Sequence, residues 1–171
     1  MNKAARLMEN MDKKDAGVLS SKIGVIDENA TPLKQARFIN TVLNIAEEMN
    51  INLTETMHKC GGCCISANAI KIAKRLYGKS NSIEEFLCLL NEADIGGQNL
   101  HMKDGKIIAI YKKCYCNMPK KVEHMNPMYC QCSAGWYKKL FTEVFDKQVD
   151  VKIIDTIVNG ATECSFEITG F

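Results

Sequence analysis

Arginine is scarce in this chain, three residues against nineteen lysines, and the formal net charge is only +2. Guanidinium groups supply the bidentate contacts by which proteins read phosphates and base edges, so nucleic acid is not an expected partner. Long apolar runs are also missing. No segment approaches the roughly twenty apolar residues needed to cross a bilayer. Met1-Asn2-Lys3-Ala4-Ala5-Arg6 opens a polar amphipathic stretch without the apolar region of a secretory signal. Together these absences predict a soluble, cytoplasmic protein with no membrane partner. No Ser–His–Asp order, phosphate-binding loop or dinucleotide fingerprint points to a familiar enzyme class.

Cysteine is what the chain has in excess. Of nine, seven fall into three clusters: Cys60-Gly-Gly-Cys63-Cys64, Cys114-Tyr-Cys116 and Cys130-Gln-Cys132. An odd total argues against a closed disulfide framework. In a reducing compartment, clustered thiols more often bind metal or do redox work than cross-link. With 171 residues and 46% hydrophobic content the chain can bury a core without disulfide staples.

Patterning changes character near residue 96. Before it, Thr31-Pro32 has the form of an N-cap followed by proline at the first helical position, and Ile39, Val42, Leu43, Ala46 and Met49 continue as an amphipathic stripe. A second helix is expected just after the first cysteine cluster, with Ile65, Ala69, Ile72, Ala73 and Leu76 inward and Gly78 as its stop. Ser82-Ile-Glu-Glu85 opens a third, and the first ten residues suggest a short one. After residue 96, Asp104-Gly105 between two alternating runs predicts a β-hairpin. A proline-marked loop from Cys114 to Cys132 follows, then a helix capped by Ser133 and two alternating strands. The fold class expected is α+β: one domain over 1–171, mainly helical over about 1–95. The hairpin, cysteine loop, helix and two strands occupy about 96–171, with helices packed on an antiparallel sheet.

In the first cluster, two glycines permit a tight turn that would converge the flanking thiolates, and a following helix N-terminus would favour the thiolate form. The other two clusters have one intervening residue, fewer than zinc knuckles use, so they chelate only with help from elsewhere. Lys112, Lys113, Lys120 and Lys121 would stabilise thiolates there. Cys60, Cys63, Cys64, Cys114, Cys116, Cys130 and Cys132 are therefore the candidate ligands of an iron–sulfur cluster or zinc. His58, two residues before Cys60, is a weaker candidate; His101 and His124 read as surface groups. Cys88 and Cys164 sit in apolar runs and read as core. Asp155 continues the parity of Val149, Val151 and Ile153. A regular strand would turn it inward as a candidate acid, base or ligand-orienting group, whereas a bulge would turn it out. Trp136 and Tyr137 are candidate pocket residues.

The C-terminal third carries a resemblance. Cys130-Gln-Cys132-Ser-Ala-Gly135-Trp136, an amphipathic helix, Val149 to Asp155, Gly160 and Cys164-Ser-Phe166-Glu-Ile168 resemble the 4-vinyl reductase domain superfamily over about 40 residues. A similar tail occurs in the thiazoline-carboxylate hydrolase group. Asp155-Thr156 stands where that pattern has an acidic residue and a cysteine. The resemblance implies helices around an antiparallel sheet that encloses a small-molecule pocket, in a cysteine-rich branch. Its members serve as ligand-sensing modules and in bacteriochlorophyll biosynthesis, and some carry metal-binding cysteines.

Two functions are expected on this reading. One is a metal-binding protein with a small-molecule pocket, in a sensor or ligand-binding role. There the three clusters meet at an apolar pocket and Trp136, Tyr137 and Asp155 touch the ligand. The other is a hydrolase or sulfur-transfer enzyme that uses a cysteine thiolate or the metal centre. The expected partner is a small molecule, with a homodimer admitted.

Overall fold

The structure is a computed structural model that describes residues 2–171. Its helical half is built from capped segments. Asn2 caps α1 (Lys3–Asn10) by accepting from the Ala4 and Ala5 amides, Asp12 caps α2 (Lys13–Ile23), and Thr31 with Pro32 starts α3 (Pro32–Glu48). Sequence periodicity gave no sign of α2, because Leu19 is the only residue that helix buries. Next come α4 (Thr54–Gly62), α5 (Ala67–Tyr77), which Ser66 caps, and α6 (Ile83–Glu92), which Ser82 caps.

Four strands form the sheet: β1 (Leu100–Lys103), β2 (Lys106–Tyr111), β3 (Asp150–Asp155) and β4 (Cys164–Thr169), in the order β1-β2-β4-β3 with every neighbour antiparallel. Asp104 at φ 51° and Gly105 at φ 72° make the tight β1–β2 turn. One α-helix, α7 (Gln131–Phe145), lies between β2 and β3 in sequence, after two short 3-10 turns. It starts ahead of the expected cap: Cys130 holds the cap position without a side-chain hydrogen bond, and Ser133 is already helical. The fold is α+β with a mainly helical N-terminal half, as its patterning predicts.

Period-two alternation places Ile107, Ala109, Phe166 and Ile168 on one sheet face, where Ala109 sits opposite Phe166 and Ile107 opposite Ile168. The α7 stripe of Tyr137, Leu140, Phe141 and Val144 covers that face, and with Phe86, Leu87 and Leu90 of α6 forms one apolar cluster. A second cluster gathers Leu7, Leu19, Ile39, Val42, Leu43, Leu53 and Met57 from α1 to α4, with Met118, Met125 and Tyr129 from the loop ahead of α7.

The seam between the clusters is the crossing of α4 and α7, the most extensive contact between any two elements of the described residues. It is close because two positions lack a side chain. A Cβ on Gly61 would overlap the Cys132 carbonyl, and one on Gly135 would overlap the backbone of His58. The sequence reading of Cys60-Gly-Gly-Cys63 as a turn is thereby corrected. Cys60, Gly61 and Gly62 are the last residues of α4, and Gly61 serves helix–helix approach rather than a turn. Gly61→Ala or Gly135→Ala should cost about 2 kcal/mol or more, since overpacking outweighs the roughly 1 kcal/mol that alanine adds in a helix. Gly62→Ala, whose Cβ would sit 3.6 Å from that of Lys139, should be neutral or mildly stabilising. Urea unfolding of the three variants checks this ranking.

Candidate functional site

The α4–α7 crossing delivers Cys64, just past the end of α4, to Cys132 in the first turn of α7. The middle cluster arrives by a different route. The segment 112–130 leaves β2 and folds back over α1 and α3, where polar side chains hold it. The Asn126 amide donates to Asn40 Oδ1 at 2.7 Å, its Nδ2 donates to Asn44 Oδ1 at 2.9 Å and Glu47 Oε2 at 2.8 Å, and Asn40 Nδ2 donates to the His124 carbonyl at 2.8 Å. Near the start of this segment Cys116 Sγ lies 3.0 Å from the hydroxyl of Tyr129, near its end, and 3.5 Å from Lys3 Nζ.

These elements enclose a cavity of about 420 Å³ lined by Cys64, Cys114, Cys116, Cys130, Cys132 and Cys164. Its aromatic walls are Tyr111, Tyr115, Tyr129, Trp136 and Phe166. Tyr111 packs edge-on to Tyr115 and Phe166 at centroid distances of 5.0 and 5.4 Å. Gly97, at φ 89°, closes another side, where any Cβ would run into the Tyr111 ring. Behind the wall Tyr137, fully buried, donates its hydroxyl to the Gly96 carbonyl at 2.8 Å and fixes that glycine loop. Lys3 reaches the cavity, Arg6 lines an adjoining pouch with Cys60, and Asp94 is the one acid on the cavity wall among the described residues.

The thiols differ sharply in acidity. A hydrogen bond from the Cys132 thiol holds Cys64 down to about 6 against the opposing effect of burial, and Lys3 and Arg6 add to it. Cys132 moves the opposite way, well above the ordinary thiol value, because it gives that hydrogen bond and is buried. Burial alone would lower the Lys3 ammonium, but Cys116, Cys64 and Cys132 outweigh it and raise its pKa. Burial pushes Cys130 up to about 12, and raises Cys60, Cys114 and Cys164.

The three clusters therefore meet around one cavity, though not at one point. Among the described residues no three His, Cys, Asp or Glu side chains are gathered as a metal ion requires. Cys60 is buried and turns toward α1, with Asn10 Nδ2 at 3.6 Å and the Arg6 carbonyl at 4.0 Å, while Cys63 is exposed. Cys114 donates to the Cys116 carbonyl at 3.4 Å, and Cys130 interacts with Thr156. His58 pairs with Gln131 Oε1 at 3.0 Å and does not line the cavity. Trp136 lines the cavity; Tyr137 supports the wall from behind. Asp155 takes the bulge placement rather than the inward one, so its expected role as a ligand contact is corrected: the register slips between Ile153 and Asp155 and leaves the carboxylate exposed, accepting from the Thr156 amide at 2.8 Å. Cys88 is also corrected. With Phe86, Leu87 and Leu90 inward, position 88 falls on the outer face of α6. Cys164 is buried as expected and forms part of the cavity wall.

Lys112 instead pairs with Glu163 at 2.7 Å, and Lys113 lies 5.6 Å from the centre of the Tyr115 ring. Of the loop lysines, Lys120 favours the Cys114 thiolate, whereas the cations attending Cys64 are Lys3 and Arg6, more than fifty residues from it in sequence. No local spacing signals them.

A family pattern matches residues 7–170, from the first turns of α1 to the end of β4. The chain belongs to DUF6144, a family of unknown function. No curated protein matches it. Among solved structures it is similar to an H-NOX protein from S. oneidensis in the Fe(II)NO ligation state, at 11% identity and a TM-score of 0.44, covering 96% of this chain and 93% of that one.

Cys64 should alkylate with a rate that levels off above about pH 7, since its thiolate is already formed. The groups facing it are Lys3 and Arg6 on α1, Cys132 on α7, Tyr129 and Cys116 on the loop, and Cys60 on α4. Lys3→Met removes a cation, so the midpoint moves up and the rate at pH 6 falls several-fold. Iodoacetamide labelling with peptide mapping measures both.

Proposed function

We propose that this protein binds a small anionic aromatic molecule in the thiol-lined cavity, in a sensor or carrier role. The observation that carries this reading is the cavity itself. Its volume of about 420 Å³ lies in the range of small-molecule sites, roughly 300 to 1,000 Å³. Its walls offer aromatic faces for stacking, Lys3 supplies a cation, and Asp94 is the only acid among the described lining residues. Sequence resemblance supports the same reading, because Cys130, Cys132, Trp136, Cys164 and Phe166, which carry the 4-vinyl reductase-like pattern, all line the cavity.

A second reading keeps the clustered cysteines as ligands of zinc or an iron–sulfur cluster. The convergence of six soft donors on one cavity favours it. Against it, the donors present do not fit a ready-made centre. Cys116 is engaged by Tyr129 and Lys3, Cys60 turns to α1, and Cys63 is exposed.

Trp136 is the sole tryptophan and lines the cavity, so its emission reports occupancy directly. Titration with 1-naphthoate should quench it saturably. At a hundredfold excess over Kd the gain of about 2.7 kcal/mol should raise Tm by roughly 5 to 10 °C. Ser133→Phe, which fills the wall from α7, should abolish both effects with the circular dichroism spectrum unchanged. Unchanged emission and Tm with naphthoate, benzoate and indole carboxylates would end the aromatic-anion reading. Stoichiometric zinc, or iron with acid-labile sulfide, in protein purified without oxygen would establish the second.

A further inference from the structure

We infer that Cys64 and Cys132 form a dithiol exchange pair: Cys64 attacks small anionic disulfides that enter the cavity, and Cys132 resolves the mixed disulfide. The inference shares the cavity with the proposed ligand site but needs only its access, so the two stand or fall separately.

Geometry selects this pair from nine free cysteines. Of the thiols on the cavity wall, several are already committed to other groups: Cys116 to Tyr129 and Lys3, Cys114 to a backbone carbonyl, Cys130 to Thr156, and Cys164 to the Ile157 amide at 3.3 Å. Cys64 and Cys132 are the two cavity thiols that also line the adjoining pouch, between Lys3 and Arg6. Their backbones are held together by the Gly61 contact with the Cys132 carbonyl, three residues from Cys64. They also differ in access. Cys64 is exposed in the turn between α4 and α5, whereas Cys132 is half-buried in the first turn of α7. An accessible attacking thiol beside a less accessible resolving thiol is the order that exchange chemistry requires. Lys3 and Arg6 beside them favour a substrate with negative charge.

The step balances without a metal. The Cys64 thiolate attacks one sulfur of R–S–S–R, a Cys64–S–S–R bond forms, and RS⁻ leaves. Cys132 then gives up its proton and attacks the Cys64 sulfur, forming the Cys64–Cys132 disulfide and releasing the second RS⁻. The protein loses two electrons and the substrate disulfide gains them; a low-molecular-weight thiol reverses the sequence. The kinetic advantage of Cys64 is moderate. At pH 7 a thiol held at about 6 is roughly ninetyfold more ionised than one at 9.0, but its thiolate is about twentyfold less nucleophilic, leaving about a fourfold gain. Charge attraction adds to that.

The test uses 5,5′-dithiobis(2-nitrobenzoate), an anionic aromatic disulfide, at one equivalent and pH 7. The background is Cys63→Ser/Cys88→Ser, which removes two exposed bystanders. Two equivalents of thionitrobenzoate should appear, no adduct should remain, and peptide mapping should link Cys64 to Cys132. Cys132→Ser should release one equivalent and retain the adduct on Cys64. Cys64→Ser should slow the first release at least about fourfold. Mapping of the parent protein decides the matter should either variant fail to fold. A link between any other pair, a stable mixed disulfide in the parent, or a second equivalent from Cys132→Ser would overturn the inference.

Discussion

The close crossing of α4 over α7 is the constraint from which the rest of the site follows. Two helices can approach this nearly only where side chains are missing, and Gly61 and Gly135 supply the two gaps. Their contact joins an apolar cluster built on α1 to α4 to a second built on α6, α7 and the sheet. It also decides where the thiols go. The end of α4 carries three cysteines and the start of α7 two, so bringing the backbones together brings Cys64 to Cys132. Helix packing and the chemistry of the site are one arrangement here.

Charge distribution follows from the same packing. Burial penalises the thiolates of Cys130, Cys114 and Cys164 in the cavity wall, and these cysteines hold their protons more tightly. Cys64 escapes because a neighbouring thiol donates to it and because α1 brings Lys3 and Arg6 alongside. The N-terminal helix is thus part of the site, held there by the Asn2 cap and by Lys3 N donating to Gln35 Oε1 at 2.8 Å. Its cations serve Cys64 as Lys120 serves Cys114, while Lys112 and Lys113 have other partners.

Much of the fold was legible in local signals. Thr31-Pro32 and Ser82 mark helix starts, Asp104-Gly105 marks the hairpin, and Cys164, Phe166 and Ile168 alternate inward as their spacing demands. Misreadings fell where a local rule met a longer-range one. Gly61 reads as a turn residue in isolation and serves a helix crossing in the fold. Asp155 has strand parity until a bulge turns it outward. Cys88 sits in an apolar run, yet the period of α6 is set by Phe86, Leu87 and Leu90, which leaves position 88 outside.

From the sequence alone came the fold class, the Thr31 and Ser82 caps, the hairpin and the inward strand residues. Each rests on spacing within a few residues, where backbone geometry leaves few choices. Tertiary structure decided which thiols face one another, which cations attend them and which aromatic rings wall the cavity. Those relations join Lys3 to Cys116, Cys64 to Cys132 and Asn126 to Asn40, positions 68 to 113 residues apart. They depend on how whole helices approach, and two absent side chains set that approach.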